Sequence, residues 1–183
     1  MLYMKVFCIF LHVQSQFKSS FVYTIYMWYC YLLRNTQQQH NRATYNGSTN
    51  NPLRRLRQHN REITGGAKAT SRCNGGWEFC ALLSGFDTYK NCLSCEWRIK
   101  CPSGRPGRRD AKYAGPAGRV SSLNEILPLD KWTGPCTIWN RDQTLTLRVL
   151  RDYVDQLNLD AIPSNIHVEV VDNIDVATLV VSE

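Results

Sequence analysis

The chain has 183 residues, is 43% hydrophobic and 20% charged, and carries a net charge of +7. That supplies a core for one compact domain, or for a domain with a small extension, and a chain of this length needs no disulfide scaffold to fold. Residues 34–119 hold 16 Lys and Arg against 5 Asp and Glu, whereas residues 120–183 hold 4 against 10. A basic block of this size points to a polyanionic partner, most simply nucleic acid.

Residues 1–26 are rich in apolar and aromatic side chains, but Lys5, His12 and the polar run Gln14–Ser20 interrupt them. No stretch reaches the roughly 20 apolar residues of a membrane span, and no clear small-residue cleavage site follows. The first reading is an upstream or accessory segment of uncertain status; a signal or anchor is the second. Trp28–Leu33 (WYCYLL) has the pattern of a buried strand. Thr44 and Tyr45 begin a second strand, with Asn46-Gly47 as a turn or strand end. Asn50-Asn51-Pro52 then announces a helix running to about Ile63, with Leu53 and Leu56 toward the core. Trp77–Leu83 is a third strand, and a helix runs from Asp87 or Thr88 to about Lys100. Residues 102–119 form a basic Pro/Gly linker. Beyond it, Ser121–Leu129 reads as a helix, and Thr144–Leu150 and Ile166–Val171 alternate as strands.

Eight cysteines are scattered singly apart from Cys92-x-x-Cys95. A structural zinc site needs four ligands, usually in two close pairs. Cys73 and Cys80, six residues apart, make a poor second pair. Zinc is therefore not expected; the cysteines read as small buried residues of a protein from a reducing compartment.

The polar residues that could do chemistry are Tyr31 on the first strand, Tyr45 on the second, Arg55 and His59 one turn apart on the basic helix, and Glu96 on the later helix. A carboxylate turned inward needs a cation or a metal, and Mg²⁺ accepts one carboxylate plus waters and phosphate oxygens. Together the set suits phosphodiester hydrolysis: metal on Glu96, Arg55 on the phosphate, and a tyrosine or His59 handling the proton of water. Each residue also has a plainer reading: strand aromatics, solvated arginines, a helix-surface Glu96, a hairpin at Asn46-Gly47. Composition and pattern alone stop at a basic α+β domain that binds nucleic acid.

The order of the motifs goes further. Tyr29-Cys30-Tyr31, Tyr45-Asn46-Gly47, the run Ser48–Pro52, the helix residues Arg54–Asn60, the loop Gly65–Ser71, Trp77-Glu78, Gly85-Phe86 and Cys95-Glu96-Trp97 together resemble the GIY-YIG nuclease family, and within it the Slx-type catalytic subunit. The resemblance is densest over Tyr29–Trp97. It implies a small central antiparallel sheet of about three strands flanked by helices, here over residues 27–101, with residues 120–183 as an acidic α/β extension packed on it. It also implies a metal-dependent DNA endonuclease, structure-selective on branched or flapped DNA and acting in DNA repair and recombination. Tyr31, Tyr45, Arg55, His59 and Glu96 would be its catalytic residues and Glu96 its Mg²⁺ or Mn²⁺ ligand. Arg54, Arg57, Arg61 and Lys68 would contact neighbouring phosphates, which position a duplex without reading its bases. Tyr29 and Asn46 replace a family glycine and a family apolar residue, and a non-catalytic DNA-binding relative is the alternative they raise. Slx-type proteins carry a zinc-binding RING-like domain after the nuclease, but the last 60 residues contain only Cys136 and His167 as Cys or His ligands. That domain, and docking to an Slx scaffold, are therefore not expected. The expected setting is intracellular, in a nucleus or a viral replication compartment, and membrane association is not expected.

Overall fold

The computed structural model describes residues 27–86, 88–107 and 110–177; the accessory segment 1–26 lies outside them. Five strands form one sheet, β1 (Trp28–Asn35), β2 (Thr44–Thr49), β3 (Trp77–Phe86), β4 (Leu145–Leu150) and β5 (Ile166–Val171), in the spatial order β2-β1-β3-β4-β5. The fold class is α+β, as expected, but the sheet has five strands rather than about three, and it is mixed rather than antiparallel. Neighbours pair antiparallel as far as β4, while β4 and β5 run parallel. Pairing of β3 with β4 joins segments about 60 residues apart, from Ser84↔Thr146 to Ala81↔Val149, which local patterning cannot show.

The helices are α1 (Pro52–His59), α2 (Tyr89–Lys100), α3 (Gly115–Ser121) and α4 (Leu123–Ile126). Asn51 caps α1, its side chain accepting from the Arg54 amide at 2.9 Å, and Pro52 fills the first turn where an amide N–H is not needed. This helix stops at His59, short of Ile63. Arg61 adopts a left-handed conformation (φ 65°), and the Asn60 side chain pairs with the backbone of Trp77 in both directions, at 2.8 and 3.0 Å. Leu56 packs on the core, but Leu53 faces solvent at 39% exposure, a correction to its expected place. Asn46 and Gly47 do not turn the chain. Both lie inside β2, opposite Leu32 and Tyr31, because pairing along β1 outweighs the local turn preference. Of the helix expected over Ser121–Leu129 only the short α4 (Leu123–Ile126) forms, and α3, which ends at Ser121, lies mostly inside the segment that reads as linker.

Side chains alternate across β1 and β2. Tyr31 and Tyr45 face α1, while Cys30 and Asn46 face α2 and α3. Cys30, Cys92, Cys95, Ile99 and Val120 are buried in the second layer. Burial raises the Cys30 and Cys95 thiols above their ordinary pKa, so they behave as apolar core groups. The seven described cysteines are free thiols. Among the described residues no helix is long and apolar enough to cross a membrane.

Gly85, near the end of β3, has φ +97°, and a Cβ there would collide with the Thr144 carbonyl that precedes β4. Left-handed backbone alone costs a side-chain-bearing residue about 1–2 kcal/mol. Gly85→Ala is expected to lower stability by at least about that much, read as a reduced thermal unfolding midpoint.

Candidate active site

The site is built on one phenol. The Tyr31 hydroxyl lies 2.8 Å from His59 Nε2 and receives a hydrogen bond from Arg55 Nε at 3.1 Å. The helical spacing of four residues puts Arg55 and His59 on one face of α1, and strand β1 presents Tyr31 to that face. On the far side of the ring, the Thr70 hydroxyl donates to the Ala67 carbonyl at 2.8 Å, so its oxygen accepts from His59 Nδ1–H at 3.0 Å. This fixes the tautomer: Nε2 carries no proton and accepts from the Tyr31 hydroxyl. The Tyr31 oxygen then has one donor role, to His59, and one acceptor role, from Arg55.

Gly47 makes room for this arrangement. A Cβ at Gly47 would press into the Tyr31 hydroxyl and lie 2.7 Å from its ring carbon Cζ. Any side chain at position 47 would therefore have to displace the Tyr31 phenol. Phe79 meets Tyr31 edge-on, with ring centroids 5.5 Å apart, and Tyr45 lies 4.8 Å from the His59 ring.

His59 is fully buried. Desolvation, and then the nearby Arg55 charge, lower its pKa to about 4. Burial raises the Tyr31 phenol well above its usual value, against the opposing pull of Arg55. Burial also works against the Arg55 charge, but the phenols of Tyr31 and Tyr45 outweigh it and hold the guanidinium above its ordinary pKa. The resting site at neutral pH is thus neutral imidazole, neutral phenol and charged guanidinium. Arg55 is further fixed by Nη1, which donates to Gln58 Oε1 at 2.9 Å and the Gly65 carbonyl at 3.2 Å. Both Arg55 and Tyr45 keep part of their surface open to solvent. A cleft of about 360 Å³ opens between the end of α1 and the Gly65–Ser71 loop, lined by Gln58 and His59 but not by Arg55 or Tyr45.

Glu96 comes from α2. Its Oε2 accepts from Ser48 Oγ at 2.8 Å, and Oε1 lies 3.5 Å from the exposed Lys100 ammonium. Ser48 follows Gly47 on β2, and β2 is the outer strand, so no further strand divides its two faces at the free side. The Glu96 charge is one of those felt by the Tyr31 phenol. Among the described residues, Glu96 is not part of a cluster of three or more His, Cys, Asp or Glu placed to hold a metal. A divalent ion on it would draw its other ligands from water and phosphate, a mode that suits Mg²⁺.

The structure therefore brings Tyr31, Tyr45, Arg55 and His59 together on one face, with Glu96 at the same strand from the other. Arg54, Arg57, Arg61 and Lys68 are exposed around them. Arg57 pairs with Glu62 at 3.1 Å, and Arg61 donates to Asn74 Oδ1 at 3.0 Å. Tyr29 and Asn46 are both accommodated in the fold. Tyr29 is buried between Thr49 and Ser84 of the flanking strands. Asn46 is buried with its amide donating to the Glu96 carbonyl at 3.1 Å and its oxygen accepting from Arg119. Thr70, Ser48 and Arg119 also hold the site together: Thr70 and Ser48 lie within the motif runs with no chemistry that marks them out, and Arg119 lies in the stretch that reads as linker. Thr70 lies 11 residues from the histidine it orients, with no periodicity connecting them.

Residues 27–110 match the GIY-YIG catalytic domain. The tyrosine-bearing strands, the Arg55 helix and the Glu96 helix all lie within this matched span. Its relatives include the structure-specific endonuclease subunit slx1 of Botryotinia fuckeliana, 49% identical over 74 residues, covering 40% of this chain and 17% of that protein. The slx1 subunit of Schizosaccharomyces pombe is 46% identical over 68 residues, covering 37% and 25% respectively. The SLX1 subunit of Chaetomium globosum is 33% identical over 133 residues, covering 61% of this chain and 40% of that protein. The chain thus spans well under half the length of these curated relatives.

Because native His59 resists protonation down to about pH 4, whereas an unfolded histidine takes up its proton near pH 6.5, the unfolded state binds more protons between those values. This contribution to stability is complete above about pH 6.5 and is lost as pH falls toward the folded value. His59→Gln is expected to flatten this part of the profile, measured by urea unfolding at pH 7 and pH 4.5; parallel profiles would contradict it.

Proposed function

We propose that this protein is a metal-dependent endonuclease that hydrolyses phosphodiester bonds in DNA and selects branched or flapped structures over plain duplex. The observation that carries the reading is Arg55: a charged guanidinium locked on two sides by Tyr31, Gln58 and Gly65, beside a partly exposed phenol, with a carboxylate across the same strand. Such a preorganised cation suits the charge that develops on non-bridging phosphate oxygens during displacement.

In this reading Arg55, Tyr45 and Glu96 are the groups that touch the reactants. Arg55 binds the scissile phosphate. Tyr45, the more exposed phenol, faces the attacking water. Glu96 would hold the divalent ion, and GIY-YIG nucleases as a class are metal-dependent; Mg²⁺ is favoured, with Mn²⁺ as substitute. When bound, that ion supplies electrostatic stabilisation of the reacting oxygens. Tyr31 and His59 act one step back. Both His59 nitrogens are engaged and the Tyr31 hydroxyl is spent on His59 and Arg55, so this pair orients Arg55 and keeps the phenol un-ionised.

Arg54, Arg57, Arg61 and Lys68 contact the phosphates that flank the cut. Residues 27–101 form the nuclease unit, residues 102–119 a basic connection, and residues 120–183 an acidic extension that completes the fold. Names of the relatives as structure-specific endonuclease subunits support the choice of branched DNA. Their eukaryotic sources support an intracellular, nuclear setting in repair or recombination.

Arg55→Ala and Glu96→Gln are each expected to reduce cleavage of a labelled branched DNA in Mg²⁺ by about 100-fold or more, with binding to the same DNA in a chelator retained. Equal cutting by either variant would contradict the assignment.

A further inference from the structure

Helix α3 lies outside the residues that match the family domain, yet it sends a side chain to the Glu96 turn. Arg119 is 1% exposed. Its Nη1 donates to the Ile99 carbonyl at 3.0 Å, and its Nη2 donates to Asn46 Oδ1. Asn46, itself 4% exposed, passes the contact on: its Nδ2 donates to the Glu96 carbonyl at 3.1 Å. Two residues further along the same face of β2, Ser48 holds the Glu96 carboxylate.

Each contact has a physical reason. Ile99 sits in the last turn of α2, where carbonyls lack intrahelical donors and a cation is favoured by the helix dipole. Glu96 and Ile99 are three residues apart and so share a helical face. A planar guanidinium can serve the Ile99 carbonyl and the Asn46 oxygen at once, in a fixed fork that an ammonium does not reproduce. Asn46 stands where the family tripeptide has an apolar residue. An apolar side chain there would leave that arm of Arg119 buried without this acceptor.

We propose that Arg119 and Asn46 form a buried brace that fixes the Glu96 turn of α2 against β2, making both positioning residues for the carboxylate that acts at the reaction centre. This rests on the reading of Glu96 given under Proposed function. The consequence is that helix α3, beyond the residues of the family match, is part of the catalytic apparatus, and that Asn46 and Arg119 are coupled.

The test uses the full chain with Arg119→Met, Asn46→Leu, the double variant and Arg119→Lys. Amide hydrogen exchange over residues 96–100 is expected to quicken at least tenfold in each single apolar variant. Single-turnover cleavage at saturating branched DNA should fall at least tenfold, with the dissociation constant for that DNA in a chelator within threefold of wild type. Arg119→Lys, with one compact donor group, should lie between. The double variant removes both polar partners of the Arg119–Asn46 contact together, so its thermal midpoint should recover toward wild type while exchange stays fast and cleavage stays slow. That separation of stability from rate is the signature of positioning rather than of folding. Unchanged exchange over 96–100 in the folded Asn46→Leu or Arg119→Met protein would overturn the brace, as would a double variant that cuts at the wild-type rate. If wild-type protein does not cut DNA, the nuclease reading fails and exchange alone decides the brace. If Glu96→Gln abolishes cutting while the brace variants exchange and cut normally, only the brace is lost.

Discussion

The Tyr31 hydroxyl is the point on which the site depends. One oxygen donates to His59 and accepts from Arg55, and each of these partners comes from the same helix face. The arrangement works only with imidazole and phenol both neutral, and burial keeps them so: it lowers the His59 pKa and raises that of Tyr31. Gly47 must lack a side chain for the phenol to reach its place, and Thr70 must present its oxygen to the ring for the correct tautomer. The two tyrosines of the motif thereby have different tasks. The buried one holds the arginine, and the half-open one faces the solvent side where a reactant would enter.

A second constraint comes from the edge position of β2. The strand carries Tyr45 and Gly47 toward α1 and Asn46 and Ser48 toward α2, so a single edge strand serves both the cation face and the carboxylate. The remainder of the sheet anchors it. Arg34 on β1 pairs with Glu78 on β3 and also reaches Asp152 and the Tyr153 hydroxyl, each at 3.0 Å. Through such contacts, and through β4 beside β3, the acidic C-terminal residues belong to the same sheet that positions the motif strands.

Much of the local structure was legible because it follows from short-range physics. The Asn51 cap and Pro52 mark the start of α1, and a spacing of four residues puts Arg55 and His59 on one face. Alternation marks Thr144–Leu150 and Ile166–Val171 as strands. What was not legible depends on long-range pairing. Asn46-Gly47 has the chemistry of a turn, and only the facing β1 strand holds it extended. Nothing in the pattern of β4 or β5 says that they extend the nuclease sheet. Arg119 sits in a Pro/Gly-rich stretch that reads as linker, and its burial against Asn46 appears only once α3 is folded back on α2. The candidate site residues came from chemistry and from motif order together; Thr70 and Ser48, whose roles are purely geometric, lie within the motif runs but carry no chemistry that marks them out.

The most direct test of this account is the single-turnover cleavage rate of Tyr31→Phe on branched DNA with Mg²⁺, beside the DNA affinity measured without metal. The substitution removes one oxygen and keeps the ring packing. The account predicts a rate at least tenfold lower at unchanged affinity, because Arg55 loses one of its anchors and His59 its donor. A Tyr31→Phe protein that cuts at the wild-type rate would show that the shared hydroxyl is not what organises the site.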